Sequence, residues 1–281
     1  MMKTSNFVNR SIVAWVVLHV FCLGVTSAFA QRRSFREIAR FPAAEAIQGV
    51  AVDGQHFYAI ANRTIGKYEK KSGRKVATWK SSRQFPLIHL NHGIVRNGKL
   101  YCAHSNSPGV PATSSVEIWD TKTLKHIDTH SFGIFEGSLT WIDWHDNTWW
   151  AVFAHYSSKA LNAGGRDTRW TSLVKFDSRW RRLQSWVFPK SVLKKFEPYS
   201  NSGGGWGPDG RIYCSGHDAG ELYVLRLPKS GSTLEHVETL PLNITGQAFA
   251  WDPSAPNMLY GISRAKKTVV VSRLEKRIPE K

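Results

Sequence analysis

The chain has 281 residues, 42% hydrophobic and 21% charged, with a formal net charge of +17. It is long enough for one sizeable core, and beyond its first 30 residues no stretch could span a bilayer. Basic residues are not visibly interleaved with aromatics on one face, so a nucleic-acid partner is not expected.

The N-terminus reads as a cleaved secretory signal. Lys3 and Arg10 precede an apolar stretch over residues 11–23, and Ala28-Phe29-Ala30 forms a small-x-small cleavage site. His19 interrupts the apolar run, which argues against an uncleaved anchor, and Phe21 before Cys22 argues against a lipoprotein. The expected mature domain is residues 31–281, secreted or periplasmic, monomeric, with a net charge of +15 once Lys3 and Arg10 are gone. Outside the cytoplasm such a charge points to an anionic envelope or matrix polymer, or to an acidic substrate. Many of the charges, among them Lys70, Lys71, Arg74, Lys75, Arg179, Arg181 and Arg182, fall in or beside expected outer turns and read first as a solvated rim.

One pattern then recurs along the chain: a polar residue, a glycine, a short apolar stretch, a tight turn and an aromatic-led strand. The copies begin at Gln48-Gly49, His92-Gly93, Glu136-Gly137, Gly204-Gly205 and Thr245-Gly246, and their glycines are 44, 44, 68 and 41 residues apart. Asp53-Gly54, Asn97-Gly98 and Asp209-Gly210 mark the turns, and such dipeptides accept positive φ at both central positions of a hairpin. A second hairpin follows in four copies, over residues 64–68 and 76–79, 115–119 and 124–129, 172–176 and 182–188, and 221–227 and 234–240. The fifth copy has only 268–273, and the strand it lacks is supplied by residues 34–41. The expected fold is all-β: a five-bladed β-propeller of four-stranded antiparallel blades, its ring closed by the N-terminal strand.

Residues 105–114, 156–168 and 189–202 break this rhythm and read as loops, all opening on one mouth of the central channel. Cys102 and Cys214 occupy equivalent places in non-adjacent blades, too far apart to bridge, and are expected as buried free thiols.

The same register gathers polar side chains at that mouth. Gln48, His92, Glu136, Asn201 or Ser202, and Thr245 with Gln247 stand at the starts of the first strands. Asn62, His104, His155, His217-Asp218 and Arg264 stand at the ends of the second. Imidazoles converging from separate blades could act as acid and base or bind a divalent metal ion. In this reading Glu136 or His92 is the catalytic base. His104, His155 and His217 orient a ligand or a metal, and Gln48, Asn201 and Gln247 complete the ligand site. The alternative is that these histidines are hydrogen-bonding fillers of the mouth. Trp79, Trp119 and Trp186 are expected to pack between blades, whereas Trp141, Trp144 and Trp206 lie near enough to the inner strands to stack on a sugar or another ring. Gly205-Trp-Gly207-Pro-Asp-Gly210 matches a dinucleotide fingerprint in letters only, because no helix follows it.

The blade starts Ile47-Gln48-Gly49, His92-Gly93, Phe135-Glu136-Gly137 with Leu139-Thr140, and Ile244-Thr245-Gly246 with Ala248-Phe249 and Asp252 resemble those of plant-type glutaminyl cyclases, the glutamine cyclotransferase superfamily. The resemblance spans most of residues 31–281. It implies a five-bladed propeller and a cyclisation of N-terminal glutamine in which Glu136 matches a family carboxylate. His92 stands where that family has a glutamate, and Tyr101-Cys-Ala-His104 and Gly261-Ile-Ser-Arg264 replace two of its segments. Histidine-rich mouths also resemble those of lactonase and cycloisomerase propellers. The expected function is binding of a small polar or anionic ligand, with or without cyclase, cycloisomerase or lactonase chemistry. The alternative is a non-catalytic module for an anionic glycan or a partner protein.

Overall fold

A computed structural model describes residues 32–84, 86–161 and 165–277. The expected signal, residues 1–30, lies outside them. Strand β1 (Arg32–Pro42) opens the chain, and blade one follows as β2 (Gly49–Val52), β3 (His56–Ala61), β4 (Thr64–Glu69) and β5 (Lys75–Lys80). Blade two is β6 (Leu90–Arg96), β7 (Lys99–Ser105), β8 (Ser114–Asp120) and β9 (His126–Gly133). Blade three is β10 (Ser138–His145), β11 (Thr148–Ala154), β12 (Ser172–Phe176) and β13 (Arg182–Val187). Blade four is β14 (Gly203–Trp206), β15 (Ile212–Ser215), β16 (Glu221–Arg226) and β17 (Glu235–Pro241). Blade five holds β18 (Ala250–Trp251), β19 (Met258–Ser263) and β20 (Thr268–Arg277), and β1 pairs antiparallel with β20 as its outermost strand. The protein is therefore a five-bladed propeller of four-stranded antiparallel sheets, closed by its own N-terminus. Closure pairs a strand edge that would otherwise be exposed.

Strand alternation explains the packing. Val50 and Val52 point to the seam with blade five, and Ala51 between them points to the seam with blade two. On β3, Phe57 and Ala59 face one seam while Tyr58 and Ile60 face the other. Five apolar clusters result, one at each seam. The inner strands are thus buried on both faces, and the period-2 pattern shows only in which neighbour each residue meets. Outermost strands alternate instead; β5 is largely exposed. Trp79 meets Trp119 of the next blade edge-on at 5.0 Å, and Trp186, stacked on Trp150 of its own blade at 5.5 Å, lies in the seam with blade four, so these rings do pack between blades.

Three local expectations need correction. The Asn97-Gly98 turn has positive φ at both residues, as does Asp146-Asn147, but Asp53-Gly54 has it at neither. There the Asp53 carboxylate accepts from the Gln55 and His56 amides and closes a longer turn by itself. Residues 189–202 are not all loop, because α1 spans Lys190–Phe196. Its Val192 and Phe196, four apart, insert into the seam between blades three and four. Trp141 is fully buried in that same seam, with no face left for a ligand.

Cys102 and Cys214 are buried and free, in different seams. Among the described residues no helix is long and apolar enough to cross a membrane.

At mid-height the channel is narrow. A Cβ on Gly49 would lie 2.8 Å from the Ala248 Cβ and 2.9 Å from the Asn91 carbonyl oxygen, and one on Gly203 would lie 2.4 Å from the Ala248 Cα. The Ala248 amide donates to the Gln48 carbonyl at 3.1 Å. The channel has two mouths, one at the starts of the inner strands and one at their ends, and the cavities in them share no lining residue.

Candidate functional site

The mouth at the starts of the inner strands holds a cavity of about 510 Å³. Gln48, Asn91, Thr140, Ser202 and Gln247 line it from the five inner strands or the residues just before them, and Asn62, Tyr156, His217 and Arg264 from the ends of the second strands. The three long loops reach it through Ser107 and Pro108, Leu161, and Tyr199. Arg63, Ile88 and His89 complete the wall. None of these lining residues is an aspartate or glutamate.

Arg264 is the most informative of these side chains. It is partly buried, its Nε donates to the Ile47 carbonyl at 2.9 Å and an Nη to Gln48 Oε1 at 3.3 Å. No carboxylate lies within ion-pairing distance of it among the described residues. Burial pulls the guanidinium below its usual value, with the Asp218 charge opposing. Gln48 in turn donates to Asn62 Oδ1 at 2.5 Å, so its amide is held with the oxygen toward Arg264. Burial also pushes the His89 imidazole down to about 4, helped by His104 and Arg264, which leaves it neutral at pH 7. Across the cavity His217 stacks on Tyr199 at 4.1 Å, and its Nδ1 meets Asp218 Oδ1 at 2.5 Å. Gln247 Nε2 donates to the His217 carbonyl at 3.1 Å.

Of the expected site residues, Gln48, His217 and Gln247 meet in this cavity. Asn201 lies just beneath it, its amide donating to the Gly203 and Ser215 carbonyls and its oxygen accepting from Thr140. Buried with those bonds made, it is a structural tie. His155 lines an adjoining chamber of about 280 Å³ with Pro108, Pro111, Phe135 and Arg166, and its Nε2 is 3.1 Å from the Glu136 carbonyl. His104 is covered by the segment before β6: the Ile88 amide donates to its Nε2 at 3.3 Å, so its Nδ1 carries the proton toward Ser115 Oγ at 3.0 Å. Ser115 passes the chain on to Glu117, which also meets His126 and Thr129.

The pair expected to act as bases does not stand at this mouth. The Glu136 carboxylate is ion-paired with Arg182 of the outer strand β13. His92 is 2% exposed and lines the opposite mouth, while Asn91 takes the place expected for it. The cause is local: the register of β6 against β7 shifts between Leu90 and Gly93, which offsets the side-chain alternation there. Nor do His104, His155 and His217 form a metal centre, since each has separate local partners. Among the described residues no three His, Cys, Asp or Glu side chains are grouped to hold a metal ion. The second strands diverge from the axis, which keeps their ends apart.

No family model matches the chain, and no curated protein matches it in sequence. Solved structures do. The Myxococcus xanthus glutaminyl cyclase aligns with a TM-score of 0.58 at 12% identity over 88% of this chain and 99% of that one. The aldose sugar dehydrogenase of Streptomyces coelicolor, solved with bound PQQ, aligns with a TM-score of 0.53 at 10% identity over 87% and 99%. The likeness is one of fold. It supports the expected resemblance to glutaminyl-cyclase-like propellers in architecture and assigns no reaction.

Proposed function

We propose that the 510 Å³ mouth binds a small anionic ligand, carboxylate-bearing or of similar charge. The observation that carries this reading is Arg264: a partly buried guanidinium with no carboxylate partner among the described residues, in a wall that holds Arg63 and two imidazoles and no acid. A partly buried cation with no ion-pair partner among the described residues is costly, and an anionic ligand would relieve that cost. Gln48, Asn62, Asn91 and Ser202 supply neutral hydrogen-bonding groups around it. Where a reaction follows binding, His89 is the group placed as base, being neutral at pH 7 and without a side-chain hydrogen bond among the described residues. With residues 1–30 as a cleaved leader, the domain would meet this ligand outside the cytoplasm, and its basic surface would favour encounter with anionic polymers.

Calorimetry with a panel of small mono- and dicarboxylates tests the reading. At least one should bind saturably and more weakly as salt rises. Arg264→Gln should weaken it about tenfold or more, since a charged hydrogen bond is being lost. Equal affinity in the variant, or no binding across the panel, sinks the proposal.

A further inference from the structure

The opposite mouth is a built cavity that the anion site does not use. It measures about 270 Å³ and is walled by the ends of the inner strands. Three indoles, Trp144, Trp206 and Trp251, stand around it with the Asp143 carboxylate and the Arg96 guanidinium, and His92 forms its floor. Asp143 Oδ1 accepts from the Trp144 amide and Oδ2 from the Trp206 amide, each at 2.7 Å, which fixes the carboxylate and leaves each oxygen further acceptor capacity. Arg96 lies over the Trp144 ring at 4.0 Å and has no ion pair among the described residues. His92, 2% exposed, keeps an Nδ1 with no hydrogen-bond partner among the described residues.

We propose that this mouth is a second binding site, for a single sugar ring. A pyranose presents C–H groups that pack on the indole surface left free where Arg96 covers one face of Trp144 at 4.0 Å and His145 one face of Trp206 at 4.1 Å, and an equator of hydroxyls that donate to a carboxylate and accept from a guanidinium. The cavity offers both in one small space. A purely apolar ligand would leave the remaining acceptor capacity of the Asp143 carboxylate unused in a drier site. A quaternary ammonium group, which also favours aromatic walls, would meet Arg96 already over one of the rings. The cavity shares no lining residue with the Arg264 mouth.

The test uses the purified protein and four uncharged probes, glucose, galactose, mannose and N-acetylglucosamine, followed by calorimetry and by saturation transfer from the protein to sugar C–H protons. At least one should bind saturably with a dissociation constant of roughly millimolar order. Trp144→Leu and Arg96→Gln, checked for native circular dichroism, should each weaken it several-fold, while Arg264→Gln leaves it unchanged. The site is overturned if no probe saturates by about 50 mM, if both variants bind as the parent does, or if Arg264→Gln removes binding and so places the sugar at the other mouth.

Discussion

The two mouths of this propeller are made from the same repeat and end in opposite chemistry. At the mouth of Arg264 the blades are joined by long connections, and polar side chains from loops and second-strand ends line the cavity, none of them a carboxylate, with Asp218 beside the lining His217. At the other mouth the inner strands turn back through short hairpins, so the wall is made mostly of strand residues: indoles, one fixed aspartate and bare glycine backbone at Gly204 and Gly205. A repeat fixes where a mouth lies, and connection length decides how freely its chemistry can vary. Titration separates them further. Burial lowers His89 at the first mouth and His92 at the second, both to about 4, but only the second has a compensating Asp143, which burial raises to about 6.

The close packing of neighbouring inner strands gives the largest expected effect. Gly203→Val places side-chain atoms where even a Cβ is 2.4 Å from the Ala248 Cα and 2.9 Å from the Gln247 carbonyl oxygen, and backbone cannot step aside as a side chain would. A loss of roughly 3 kcal/mol of stability is expected from such overpacking, measured by urea denaturation. The Gly210→Ala variant is the contrast, since nothing lies within 4 Å of a Cβ there and only the strain of its φ of +69° is felt. Equal losses in the two variants would break the idea of close packing at Gly203.

Acid should expose the titration difference. A histidine held at about 4 in the fold and near 6.5 when unfolded leaves the unfolded state binding more protons. Its contribution is complete above pH 6.5 and is lost as pH falls toward 4. Asp143 has the opposite sign: raised from 3.8 to about 6, it holds its proton longer in the fold and costs stability as pH rises through that window. His92 and Asp143 therefore offset each other between pH 4 and 6, whereas His89 has no such neighbour; His104 and Arg264 around it only lower it further. Urea midpoints should fall on acidification from pH 6.5 to 4. His89→Gln should flatten that fall by no more than about 1.4 kcal/mol per pH unit, less because the ring is partly solvated. Asp143→Asn should steepen it. The reverse ranking would show that the second mouth, and not the first, carries the acid sensitivity.

Nearly all of the architecture was legible from the glycine repeat, because blade topology follows from turn spacing and from which strand has no partner in its own repeat. Strand β1 was found that way, and so was the separation of Cys102 from Cys214. The site was legible only as a place. Gln48, His217 and Gln247 line one cavity because they follow the repeat register, and Asn62 and Arg264 because they end second strands. His89 was missed: it precedes β6 in an irregular segment, where no register points a side chain anywhere. His92 was assigned to the wrong mouth by a register shift of the kind that sequence alternation cannot reveal. The helix α1 was missed because Pro189 offers no side-chain cap and only Val192 and Phe196 mark its buried face.

The smallest expected effect concerns Glu136. In sequence it is the most attractive base in the chain, and it alone matches a carboxylate of the glutaminyl-cyclase-like blade starts. In the fold its carboxylate is held by Arg182, and it lines neither mouth. The ion pair is partly solvent-exposed on both sides, the regime in which such pairs contribute at most about 1 kcal/mol. Glu136→Gln should therefore shift the urea midpoint only slightly and leave both carboxylate and sugar affinities within about twofold of the parent, less than half a kcal/mol in binding. A variant that keeps its fold but loses tenfold in carboxylate binding or in any turnover would mean that the carboxylate swings from Arg182 into the mouth when ligand is present. The distinction between a rim residue and a mouth residue, on which the contrast between the two ends of the channel rests, would then fail at this position.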